Sequence, residues 1–152
     1  MSAVKPIPDG YQAITPYLIS GDASAAIEFY KNAFGAVERL RVHGKDGKIM
    51  HAEIEIDGAV FMLTSENPQW NARSPKTIGG SPVSMVLYVT DVDARVAQAT
   101  QAGAKLQRAV ANQFYGDRSG SVEDPDGYSW HISTHVEDVS PEELARRSAE
   151  MC

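Results

Sequence analysis

The segment ITPYLISGD, followed by a helical pattern ending in AFGA, returns later in the chain as VSMVLYVTD followed by a pattern ending in QAGA. Asp22 and Asp91 are 69 residues apart, and so are the pairs Asp57-Gly58 and Asp126-Gly127. Each Asp-Gly pair leads into a short apolar run, AVFMLTS or YSWHIST. Self-similarity at one offset limits the fold severely, because each copy must then be the same supersecondary unit.

Each copy reads as a strand, a helix and then strands joined by tight turns. Asp-Gly supplies the positive backbone angles that two-residue hairpins demand. The order is β-α-β-β-β, over about residues 11–66 and again over about 81–135. In the first copy Asp22 is placed as helix N-cap, Ile27, Tyr30 and Phe34 fall on one helical face, and Gly35 sits where a left-handed cap is wanted. In the second, Asp91 or Asp93 opens the helix and Gly103 closes it. The connection SENPQWNARSPKTIGGSP has no sustained periodicity and reads as a long loop. Ser140, Pro141 and Glu143 form a capping-box pattern that opens a C-terminal helix over about 141–150. The expected fold class is α+β: one domain over 1–152, with two pseudo-symmetric modules forming a curved mixed sheet around a cavity.

Side-chain alternation gives the strands two unlike faces. In MHAEIEI, Met50, Ala52, Ile54 and Ile56 alternate with His51, Glu53 and Glu55. Phe61 and Leu63 oppose Met62 and Thr64, and Trp130 and Ile132 oppose His131 and Ser133. The repeat makes Met62 and His131 equivalent, and likewise Thr15 and Ser84. A site shared by two such halves draws residues from both.

Composition removes several function classes. At 152 residues, with 43% hydrophobic and 22% charged residues, this is an ordinary folded chain. No apolar run reaches the roughly 18 residues of a membrane span, and the polar start lacks a signal-peptide core, so a cytoplasmic protein is expected. Cys152 is the single cysteine, which leaves no internal disulfide or cysteine-based metal cluster. The net charge of -6 is spread along the chain and no basic patch is interleaved with aromatics, so neither nucleic acid nor membrane is an expected partner.

With the repeat in place, the segments YLISGDASAAIEFYKNAFGA, IMHAEIEIDG, LYVTDVDARVAQATQAGA and FYGDRSGSVEDPDGYSWHISTHVEDVSPEEL resemble the vicinal-oxygen-chelate superfamily of glyoxalases, bleomycin-resistance proteins and extradiol dioxygenases, and within it the PhnB-like branch. The resemblance covers nearly the whole chain. It implies four metal-ligand positions, which fall here on Thr15, Met62, Ser84 and His131. Only His131 is a usual ligand, since a thioether is a poor donor for Zn, Ni, Mn or Mg. No cofactor is therefore expected; a divalent metal would need a different set, His51, Glu53 and His131. The resemblance also implies a homodimer.

The expected function is binding of a small organic molecule without the usual metal site. Thr15, Tyr17, Met62, Ser84, Tyr88 and His131 are candidate contacts, with Trp70 and Arg73 on a loop able to close over a ligand. Tyr115, Asp117 and Arg118 form a polar aromatic cluster, in which Arg118 grips either a ligand carboxylate or phosphate or the side chain of Asp117 or Glu123. His131, His51 and Glu53 are the catalytic candidates under the alternative reading of a lyase, isomerase or dioxygenase. The other alternative is a non-catalytic interaction module. His135 and Glu137 are read as links to the tail helix, and His43 as solvent-facing.

Overall fold

The computed structural model describes residues 4–151. They divide between Gly80 and Ser81 into two compact units. In the first, β1 (Tyr17–Ser20) leads into α1 (Ala23–Phe34), then β2 (Val37–His43), β3 (Ile49–Ile56) and β4 (Ala59–Ser65), with strand order β1-β4-β3-β2. The second repeats this with β5 (Met85–Tyr88), α3 (Val92–Gln101), β6 (Lys105–Asn112), β7 (Asp117–Glu123) and β8 (Ser129–His135), in order β5-β8-β7-β6. The first strand of each unit pairs in parallel with the last, and the remaining pairs are antiparallel. The α+β class therefore holds, as two four-stranded mixed sheets.

Local chemistry sets the helix ends. Asp22 accepts from the Ala25 N–H at 3.0 Å, and Gly35 takes the left-handed cap at φ 66°. Asp91 caps α3 in the same way, with its carboxylate at 3.0 Å from the Ala94 N–H. Ser140 caps α4 (Pro141–Ala149), but the reciprocal half of the expected box is missing. The Glu143 carboxylate turns instead to Arg146 and Arg147, which hold its pKa down at about 2.

Each helix covers one sheet face. Ile27, Tyr30 and Phe34 of α1 are fully buried, and the Tyr30 ring meets Phe61 edge-on at 5.4 Å. In the second unit Val92, Val96 and Ala99 bury with Val122, Trp130 and Ile132.

Three expectations need correction. Met50 is 43% exposed while Ile49 is 4% exposed, because the ladder slips between Val42 and His43 and the extra β3 residue reverses the alternation there. The Asp126-Gly127 turn is not a two-residue hairpin. Asp57 and Gly58 both have positive φ and join Ile56 to Ala59 directly, whereas Asp124 to Tyr128 form a five-residue loop. That loop closes on the buried Asp124 carboxylate, which accepts from Asp126 N, Tyr128 N and the Trp130 indole at 2.9 to 3.0 Å.

The third correction concerns the offset. Gly35 and Gly103 close their helices 68 residues apart, and the ladders pair Glu53 with Met62 but Ser121 with His131. The second helix is two residues shorter but Ala102 adds one residue before Gly103, so one residue is lost there, and the longer hairpin restores it. Between those points the repeat runs at 68, so Ser119 and Ser121 stand where His51 and Glu53 stand.

The connection between units is built rather than loose. It contains a 3-10 turn, Pro68–Trp70, a bridge from Asn67 to Ala72 and a short helix α2, Pro75–Ile78. The Glu66 carboxylate ties it down by accepting from the Ser74 N–H at 2.6 Å.

Candidate functional site

The face of the first sheet away from α1 carries Tyr17, His51, Glu53 and Met62. The register sets Met62 opposite both Tyr17 and Glu53. Residues preceding β1 line a hollow of about 440 Å³ together with this face. Pro6, Ile7, Pro8 and Ala13 supply apolar walls, and Glu53, Thr15, Gln12 and Tyr11 the polar groups. Gln12 Nε2 donates to the Val60 carbonyl at 2.9 Å and Thr15 Oγ1 to the Gln12 carbonyl at 3.1 Å, which anchors the segment.

The predicted residues Thr15, Met62 and Glu53 thus come together in one pocket. His51 lies beside it, with Nε2 at 3.6 Å from the Glu53 carboxylate and its ring 6.2 Å from that of Tyr17. Sequence reasoning missed Tyr11, Gln12 and the Pro6-Ile7-Pro8 stretch. The signal was the apolar residue between two prolines, which is unusual in a solvated leader.

Tyr11 is the most perturbed of these groups. Its Oη is buried without a hydrogen-bond partner. Burial raises the phenol's pKa, and the adjacent Glu53 carboxylate raises it further. Arg39 stands 5.6 Å from the centre of the Tyr11 ring and 3.7 Å from Glu55.

Trp70 is elsewhere, 63% exposed at the rim of a second hollow of about 410 Å³ lined by Lys45, Lys48, Met50 and Gln69 among others. It does not line the Met62 pocket. Arg73 is exposed on the same connection.

In the second unit, His131 is half-buried between Val86 and Ser121 in the ladder. Ser84 is exposed just before β5. The Tyr88 hydroxyl donates to Asp117 at 2.7 Å, which raises the phenol's pKa. Asp117 also meets His135 Nδ1 at 2.9 Å, and His135 Nε2 meets Asp138 at 2.8 Å. Tyr115 Oη lies 3.4 Å from Ser119 Oγ. Arg118 does grip a carboxylate, but the one it holds is Asp93 on α3, through two bonds of 2.7 and 2.8 Å. Asp117 and Glu123, the expected ion-pair partners, point to the other side of the strand.

The donor chemistry does not fit a glyoxalase-type metal ion. The four positions that the resemblance assigns to ligands, Thr15, Met62, Ser84 and His131, supply two hydroxyls, a thioether and one imidazole, and a divalent ion wants three or four good nitrogen or oxygen ligands. Among the described residues, no three His, Cys, Asp or Glu side chains are gathered to hold a metal.

The fold is widely shared. TioX from Micromonospora sp. ML1 superposes with a TM-score of 0.65 at 23% identity, over 82% of this chain and 99% of that one. An Arabidopsis thaliana gene product of known structure gives 0.63 at 26% identity, over 81% and 98%. An uncharacterized protein of Mycobacterium bovis is 43% identical over 135 residues, spanning 87% of this chain and 89% of that protein. The pattern of the Glyoxalase/Bleomycin resistance protein/Dioxygenase superfamily matches residues 12–132, and the chain belongs to that superfamily.

Proposed function

We propose that this chain is a metal-free binding protein of the PhnB-like branch, a cytoplasmic homodimer that holds a small organic molecule in the pocket beside Met62. One observation carries the reading. A hollow of about 440 Å³, within the usual size of small-molecule sites, is walled mainly by apolar side chains and holds a few converging polar groups at the position where metal-dependent relatives need a ligand. Met62 fills that position with a soft apolar contact.

The test is a small-molecule thermal-shift screen on the wild-type chain, with hits repeated on Met62→Trp. The larger side chain should occupy the pocket and abolish the shifts while the fold persists. Hits that stabilise both proteins equally place the site elsewhere. A catalytic reading rests on His51 and Glu53, which share a strand face at 3.6 Å and so could act as an acid/base pair. It requires that the bound molecule be converted, so recovery of unchanged ligand after long incubation counts against it.

A further inference from the structure

Glu53 is the one carboxylate lining the Met62 pocket, and its side chain is only 20% exposed. A carboxylate partly withdrawn from water beside apolar walls requires donors or a counter-charge. Within the described chain only the Tyr11 hydroxyl stands beside it, without a hydrogen bond of ordinary length, and no Lys or Arg pairs with it. His51 Nε2 at 3.6 Å is beyond hydrogen-bond length, and Arg39 is directed to Glu55 and the Tyr11 ring. Tyr11 Oη, the second polar group at this end of the pocket, is buried with no partner. Of the other lining residues, Gln12 and Thr15 donate to the Val60 and Gln12 carbonyls, and Ile7, Pro8 and Met62 are apolar.

A carboxylate partly withdrawn from water, with apolar walls and only a phenol hydroxyl beside it, marks the pocket for a ligand that brings positive charge. We propose that the molecule held here carries a protonated amine, which binds the Glu53 carboxylate beside Tyr11 while an apolar body packs against Ile7, Pro8 and Met62. This rests on the reading of the pocket as a binding site and adds the class of molecule it takes. A carboxylate or phosphate ligand would meet Glu53 with like charge and is disfavoured. The chain's net charge of -6 favours the approach of cations.

The experiment titrates the full-length protein with three probes of one shape, 2-phenylethylamine, 2-phenylethanol and 3-phenylpropionate, following backbone amide shifts by NMR. The amine should bind about tenfold more tightly than the alcohol, the scale of one charge-assisted hydrogen bond, and the carboxylate most weakly. Glu53→Gln should erase the difference between amine and alcohol. Met62→Trp should block all three. Equal binding of amine and alcohol to the wild type overturns the cationic assignment and leaves the binding pocket standing. Preference for the carboxylate also overturns it. If no probe shifts the residues around Met62, the pocket reading and the cationic assignment fall together.

Discussion

Asp124 shows how much one side chain does in this fold. Buried between β7 and β8, it accepts two backbone N–H groups of its own loop on Oδ1 and the Trp130 indole on Oδ2. Its removal leaves a buried indole donor and two loop amides without their acceptor, so Asp124→Ala should lower stability by about 3 kcal/mol. Asp124→Asn should cost less, because the amide oxygen still serves the loop while its NH₂ opposes the indole. Urea unfolding followed by Trp fluorescence measures both; an Asp124→Ala midpoint equal to wild type would refute the role. In sequence Asp124 looks like one more acidic turn residue, because three-way acceptance depends on a loop closure that no local pattern encodes.

Among the elements, the tail is fastened by titratable groups. His135 at the end of β8 bridges Asp138 and Asp117, and bonding first to Asp138 and then to Asp117 raises its pKa above the usual 6.5. A raised folded-state value means that the fastening is complete below about pH 6.5 and is lost as pH rises through the folded value. His135 should therefore titrate above 6.5 by NMR, and Asp138→Asn should bring its midpoint down. A midpoint at or below 6.5 in the wild type would show that the bridge does not form in solution. The helix caps, the alternation of Phe61 with Met62 and the start of α4 were legible in sequence, because each follows from contacts within a few residues. The bulge at Met50 and the five-residue loop were not, since both arise from the register between strands.

For the whole molecule, the donor set decides how the protein meets metals. Protein prepared without an affinity tag or chelator should hold well under one ion per chain by mass spectrometry. Added Ni, Zn, Mn or Fe should leave its melting temperature unchanged. One stoichiometric ion, lost in His131→Ala, would return the chain to the metal-dependent members of its superfamily. The part of the candidate site that lies on strands, Glu53 and Met62, was legible. The wall formed by residues 6–13 was hidden, because its placement depends on a long-range hydrogen bond from Gln12 to Val60. The two single-residue adjustments that move the repeat from 69 to 68 and back have a consequence for anyone who would graft one module onto the other. A transplant counted by 69 would set the acid of Glu53 at Val122, among the side chains packed beneath α3, and the chimera would carry a charge in its core. Counted along the ladders, the same acid lands at Ser121, opposite His131, a buried position where the second module has kept only a hydroxyl.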